Sequence, residues 1–277
     1  MRFGILAFAD ADGIAPQVLG RALEERGFDS LFVPEHSHIP VSRETPYNLG
    51  GELPDSYYRT VDQFVVLTAA AVTTTDLLLG TGITLLVQRD TIQTAKQVAS
   101  LDALCGGRLI FGVGVGWNIE EMRNHGTDPR TRGKRLDEQL EALKLIWTQD
   151  KAEYHGQFVD FDPIFSWPKP ARDPHPPIYI GGADSAATLR RVSRLGDGWM
   201  PVAVSDPKDI GPQLDRFREL APDRALMINL LDWTDRKVLD GYAEGGAEHA
   251  LLFVPWQKED EMLHLLDSLV PMVEEYR

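Results

Sequence analysis

Short runs of apolar residues alternate with longer stretches of helical period, and the alternation repeats eight times along 277 residues. A strand that is apolar on both faces must be covered on both faces, which is the position of a parallel strand inside an α/β fold. The strand-like runs cover 2–8, 28–33, 77–87, 108–115, 177–180, 199–202, 225–230 and 250–254. The helical segments between them cover 15–26, a stretch starting at Thr60, 92–104, 133–148, 185–195, 208–220, 234–244 and 260–276, with a short extra turn after Asn118. Thr60 with Gln63 three residues on reads as a capping box, and Val61, Phe64, Val65, Thr68, Ala71 and Val72 as the inner face of that helix.

Two architectures accommodate this pattern: a closed (β/α)8 TIM barrel and a doubly wound open sheet. No GxGxxG follows the first strand, and Gly112, Gly114 and Gly116 have the wrong spacing for the dinucleotide fingerprint, which disfavours the open sheet. The expected fold is α/β, one (β/α)8 barrel domain over 1–277. A lid loop at 39–59 rises from its rim, and a small excursion at 150–176 follows the fourth strand. The loop has three prolines, two glycines and the tyrosines Tyr47, Tyr57 and Tyr58, which points to an ordered cover over a site. The excursion opens with a hairpin turning near His155 and Gly156 and lacks apolar mass for a core of its own.

A net charge of -14 argues against nucleic acid and anionic membranes as partners. Any anionic ligand must be held by local amides or single arginines. The single cysteine, Cys105, rules out an internal disulfide framework and fits a reducing compartment. With no charged leader and no long apolar span, a soluble cytoplasmic protein is expected. Cys105 itself reads as a packing thiol rather than a nucleophile.

In a barrel the chemistry collects at the C-terminal ends of the strands. The stretch GGRLIFGVGVGWNIEEM, 106–122, ends a buried strand in glycines at alternate positions. Those glycines share one side of the strand. Two readings stand: bared backbone against which a flat cofactor lies, or glycine-relieved packing between strand and helix. Asn118 then caps a helix whose acidic first turn holds Glu120 and Glu121, a favourable pairing with the helix dipole. At the end of the second strand, His36 behind Glu35 can move a proton near neutral pH or hold a structural hydrogen bond. His36 and His38 also form the H-x-H pair of barrel metallohydrolases, but later rims supply no matching His or Lys, and a zinc site needs three or four converging ligands. The run Gly181, Gly182, Ala183, Asp184, Ser185 joins a strand to a helix; free amides there bind phosphate, with Asp184 as a possible N-cap. Arg89 supplies a cation beside the proposed site, and Arg132 and Arg135 are further cations ahead of a helix; the default for each is a surface ion pair, for instance Arg135 or Lys134 with Glu138. There is no GxSxG elbow and no P-loop.

The segments LGTGITLLVQRD (79–90), AKQVASLDALCGGRLIFGVGVGWNIEEM (95–122) and PPIYIGGADSAATLRRVSRLGDGWMP (176–201) resemble the bacterial luciferase-like superfamily, most closely its actinobacterial branch of deazaflavin-dependent oxidoreductases. The resemblance implies a barrel binding coenzyme F420, or FMN as the alternative, at its C-terminal rim. It implies that Glu35 and His36 touch the ring and its hydride-accepting edge, and that Gly82 and Ile83, with Thr84 beside them, buttress the ring through a non-proline cis peptide. Val115, Gly116, Trp117 and Asn118 would line the cofactor's side chain, and Gly181, Gly182 and Ala183 its phosphate. Deazaflavin-dependent sugar dehydrogenases of this fold carry an acidic catalytic residue at the position of Trp117, so sugar-phosphate dehydrogenation is not expected. The resemblance thus implies hydride transfer between F420 and a small organic substrate, in a homodimer. The competing readings are an FMN-dependent monooxygenase, a metal-dependent hydrolase using His36 and His38, and a non-catalytic cofactor binder.

Overall fold

A computed structural model describes residues 1–276. The chain runs β1 (Arg2–Leu6), α1 (Pro16–Glu25), β2 (Ser30–Val33), α2 (Gln63–Ala71), β3 (Leu78–Thr81), β4 (Thr84–Leu85), α3 (Thr91–Leu104) and β5 (Leu109–Gly114). It continues through α4 (Ile119–Asn124), α5 (Arg132–Thr148), β6 (Ala152–His155), β7 (Asp160–Ile164), β8 (Ile178–Gly181) and α6 (Ala186–Leu195). The last third holds β9 (Gly198–Met200), α7 (Ile210–Leu220), β10 (Ala225–Leu230), α8 (Arg236–Glu244), β11 (His249–Phe253) and α9 (Glu259–Glu275).

The sheet is parallel and closes on itself. β1 pairs with both β2 and β11, β2 with β3, and β3 with β5, which leads round through β8, β9 and β10 to β11. This is the expected TIM barrel of eight strands, with β4 continuing the third strand alongside β5. The small antiparallel hairpin β6–β7 forms the excursion. The apolar runs became strands because each has two faces to bury. Along β5 all six residues are buried, and β2 is buried throughout. Leu6, Phe32, Ile110, Met200, Met227 and Leu251, each from a different strand, fill the barrel interior. A larger apolar cluster fills the shell between strands and helices. No helix among the described residues is long and apolar enough to cross a membrane.

Three local expectations are corrected. Thr60 does not cap α2. Asp62 does, accepting from the amides of Phe64 and Val65 at 2.9 and 3.1 Å, while Thr60 donates to the His36 carbonyl. The buried face of α2 is Phe64, Val66, Leu67, Ala70 and Ala71, with Val65 and Val72 exposed. That helix is apolar nearly all round, so hydrophobic period carries little phase information. Asp184 does not cap α6; Ser185 accepts from the Thr188 amide, and Asp184 pairs with Arg216.

At the opposite end of the barrel from the strand C-termini, His249 is buried, with Nε2 2.8 Å from Ser30 Oγ. Burial, reinforced by the Arg2 charge, pushes its pKa down to about 3. The imidazole is therefore neutral in the fold, and only the unfolded chain takes a proton between about pH 6.5 and pH 3. Stability is fully present above that window and is lost as pH falls through it. By pH 4 the loss from this group is on the order of 3 kcal/mol. Urea unfolding of the native chain and of His249→Gln at pH 7 and pH 4 checks this: the native chain should lose that much more stability than the variant, and equal losses would remove His249 as the cause.

Candidate active site

A cavity of about 980 Å³ opens at the C-terminal ends of the barrel strands. Glu35, His36, Gly82, Ile83, Val115, Gly116, Trp117, Gly181, Gly182 and Ala183 all line it, so positions scattered over 150 residues of sequence meet in one hollow. Thr84 and Asn118 do not. Thr84 is fully buried and accepts from Gln63 Nε2 of α2 at 2.9 Å. Asn118 spends its side-chain oxygen capping α4 through the Glu121 amide.

His36 leaves β2 just beyond its last paired residue and is buried to 9% exposure. Its Nδ1 lies 2.8 Å from Glu121 Oε2, and the Glu121 side chain is wholly inaccessible. The other carboxylate oxygen, Oε1, is buried without a partner. With Nδ1 committed, Nε2 is the ring nitrogen left for exchange with the cavity. The acidic first turn of α4 thus does more than complement a dipole: Glu121 braces His36, and Glu120 accepts from the Thr45 amide at 2.7 Å and from its hydroxyl, tying the helix to the lid. Burial raises the Glu120 pKa, but the Thr45 hydrogen bonds outweigh it and hold the carboxyl below its usual range.

Glu35 also lines the cavity, yet both its oxygens are engaged. One accepts from the Leu85 amide at 2.7 Å and the other from Arg89 Nε at 2.6 Å. Arg89 further reaches Gln97 and Asp62, so it is ion-paired, as the default reading for it has it, and is not free for an anionic ligand. Arg132 is the cation that lines the cavity with a single long bond, from Nη1 to the Gly116 carbonyl at 3.4 Å. Arg191 lines it too, held by Asp137 and the Gly133 carbonyl. No ion pair joins Arg135 to Glu138 among the described residues; Glu138 instead accepts from the amides of Gln157, Phe158 and Val159 in the hairpin turn.

The Gly82–Ile83 peptide is cis. The Ile83 side chain lies over β5 and β8, where a Cβ added to Gly114 would stand 2.1 Å from Ile83 Cδ1 and one added to Gly181 would stand 2.9 Å from Ile83 Cγ2. A Cβ on Gly112 would stand 2.1 Å from the Thr81 carbonyl oxygen. The expectation of three glycines baring backbone to a ring is therefore corrected: Gly112 and Gly114 admit neighbouring protein atoms, and the cavity floor is Ile83. Gly116 has φ 71°, a left-handed conformation suited to glycine, and is itself in the cavity wall.

The lid is ordered around aromatic contacts. The Tyr57 ring lies 4.3 Å from Phe8, 5.1 Å from His36 and 6.4 Å from Trp117 between centroids, and Tyr47 packs on Tyr57 and Trp117. The Tyr47 and Tyr57 hydroxyls are 3.1 Å apart; burial, then that contact, pushes the Tyr57 pKa well above the ordinary phenol value. Tyr58 points outward. His36 and His38 diverge: His38 bonds Asn124 and Ser37. Among the described residues no group of three or more His, Cys, Asp or Glu side chains could hold a metal. Cys105 is buried, with its thiol pushed up by burial, as suits a packing thiol.

Sequence reasoning missed Glu121, 85 residues from its partner His36. It also missed Arg191, Thr188 and Asn229, which line the cavity from later elements and carry no local motif.

A closed eight-stranded barrel with its hollow at the strand C-termini places the protein in the TIM-barrel class. The chain belongs to the luciferase-like monooxygenase family, whose model matches residues 1–227. It is 41% identical over 213 residues to an uncharacterized protein of Mycobacterium tuberculosis, covering 76% of this chain and 74% of that one. It is 30% identical over 211 residues to an F420-dependent glucose-6-phosphate dehydrogenase of Nakamurella multipartita, 75% of this chain and 58% of the relative. Over 130 residues it is 38% identical to an FMNH2-dependent dimethylsulfone monooxygenase of Pseudomonas putida, 46% of this chain and 35% of the relative. The fold is shared along the full length of both chains with a Streptomyces bottropensis monooxygenase (TM-score 0.80, 19% identity) and an F420-dependent secondary alcohol dehydrogenase (TM-score 0.77, 17% identity). The family is one of oxidoreductases with both F420- and FMN-dependent members.

Proposed function

We propose that this protein is an oxidoreductase transferring hydride between coenzyme F420 and a small organic substrate. The observation that carries the reading is one cavity joining a buried His36–Glu121 pair to the glycine loop before α6. The residues present fit such a group. Gly181, Gly182 and Ala183 precede the N-terminus of α6, whose unpaired amides and positive dipole end suit a phosphate. Arg132 has bonding capacity to spare, and the Asn229 side-chain oxygen, buried in the cavity wall, has no partner. Asp184, beside the loop, is paired through Oδ2 with Arg216, which offsets its opposition to an anion there.

When bound, the deazaflavin gives or takes the hydride; the protein supplies placement and electrostatics. His36 Nε2 gives or takes the accompanying proton, while Glu121 fixes the ring's orientation through Nδ1. Glu35 acts as a brace, holding the end of β2 to the Leu85 amide and so supporting the Gly82–Ile83 segment. The 39–59 lid covers the cavity and excludes water. A homodimer remains part of this proposal, by analogy with the family.

The preference for F420 over FMN rests on the motif resemblance of segments 79–90, 95–122 and 176–201; the F420-dependent relative aligns over more residues, 211 against 130, but at lower identity, 30% against 38%. Fluorescence titration of the protein with each cofactor tests it. F420 should bind at least on the order of tenfold more tightly than FMN. The reverse order would turn the reading to an FMN-dependent monooxygenase, and binding of neither would end it.

A further inference from the structure

The cavity is chemically divided. One half carries the loop before α6 with Arg132 and Arg191. The other half, under the lid, is walled by Phe8, Leu49, Tyr57, Trp117 and Phe253 around His36. We infer that this second half is a binding site for an uncharged, ring-containing compound bearing one polar group, such as an aryl or cyclic ketone. As an assignment of substrate class it rests on the function proposed above.

The inference follows from what the lid half lacks as much as from what it holds. The charged groups set among these rings are matched: Glu35 by Arg89 and the Leu85 amide, and His36 with Glu121 as a pair, while Arg132 is turned to the Gly116 carbonyl. Arg43 lies over the Trp117 ring, 5.8 Å from its centroid, with Nη1 buried and unpartnered, but it is not part of the cavity wall. An ionised ligand group entering here would lose its water and find no counter-charge, which is costly. The Tyr57 hydroxyl is engaged with Tyr47 and is held neutral. What remains for a ligand are the Asn48 amide, His36 Nε2 and aromatic surface. Phe8 and Phe253 meet edge to face with centroids 6.0 Å apart, and Trp117 meets His36 nearly edge-on at 5.9 Å, so the rings present both faces and edges to an entering ring. With Nδ1 held by Glu121, Nε2 accepts from a ligand hydroxyl when the ring is neutral and donates to a ligand carbonyl when it is protonated, so one uncharged polar group on the ligand satisfies it.

The experiment uses a matched pair of probes, 2-acetylnaphthalene and 2-naphthoate, which share a ring and differ in charge. Binding is followed by tryptophan fluorescence and ligand-observed NMR, with and without saturating F420. The ketone should bind on the order of tenfold or more tightly than the carboxylate. Leu49→Arg, at a half-exposed loop position, should weaken the ketone and strengthen the carboxylate. Trp117→Phe should remove most of the ligand-dependent fluorescence change. Equal affinities, tighter carboxylate binding, no binding of the ketone, or ketone binding indifferent to both substitutions would overturn the inference. Ketone selectivity without F420 binding would remove the proposed function and leave this site; normal F420 binding without selectivity would remove this inference alone.

Discussion

Replacing His36 with alanine should lower turnover by on the order of 10²–10⁴ while cofactor affinity stays within a few fold. The asymmetry follows from geometry. His36 contributes one edge of a large cavity, so removing it costs little binding surface. It is, however, the ring at that edge oriented through a buried carboxylate, with Nδ1 2.8 Å from Glu121 and Nε2 left free to carry a proton. The loss should therefore fall on kcat rather than on KM or on the cofactor Kd. Glu121→Gln keeps a hydrogen-bonding group of the same size but removes the charge that fixes the ring's tautomer. It should lose on the order of tenfold to a thousandfold in kcat, with the fold and cofactor affinity retained. Added imidazole should restore part of the rate in His36→Ala and none in Glu121→Gln, where the ring is still present. Steady-state kinetics on both variants, with a fluorescence titration of cofactor, checks the set. An unchanged kcat in His36→Ala would remove it from proton transfer, and an unchanged kcat in Glu121→Gln would reduce the pair to packing.

The legible and illegible parts of the site differ for physical reasons. The barrel was readable because a strand buried on both faces writes its burial into every residue, as β5 does from Leu109 to Gly114. The loop at Gly181, Gly182 and Ala183 was readable because glycines between a strand and a helix are a local signal. Glu121 was not. An acidic residue in a first helical turn already has a local explanation, and nothing nearby in the chain points to a histidine two strands earlier. Arg89 is the intermediate case: an ion pair is its default reading, but its partners Glu35, Asp62 and Gln97, which take it away from an anionic ligand, are not readable from its position. Partnership across the barrel is a tertiary property, and charge alone does not reveal whether it is satisfied.

The glycines of β5 carry the same lesson to its largest stability effect. In sequence Gly112 and Gly114 look equivalent, on one side of one strand. Their neighbours differ in whether they can yield. The atom 2.1 Å from a Cβ on Gly112 is the Thr81 carbonyl oxygen, part of the adjoining barrel strand, whose hydroxyl also donates to the Gly112 carbonyl at 2.7 Å. The strand cannot retreat without breaking the closed sheet, so Gly112→Ala should cost about 3 kcal/mol or more, a large share of the stability of an ordinary chain. The atom 2.1 Å from a Cβ on Gly114 is the tip of Ile83, which can rotate. Gly114→Ala should therefore be milder in stability, but it pushes Ile83 into the cavity and should weaken cofactor binding more than it weakens the fold. Gly211, in the first turn of α7, is the contrast: outside its chain neighbours no atom lies within 4 Å of an added Cβ, but Pro212 follows and disfavours helical backbone for a Cβ-bearing residue before it, so Gly211→Ala should change stability by no more than about 0.5 kcal/mol. Urea midpoints for the three variants, with cofactor titrations of those that fold, separate these outcomes. A Gly112→Ala protein as stable as the native one would mean that the β3–β5 seam is looser than its 2.1 Å approach requires.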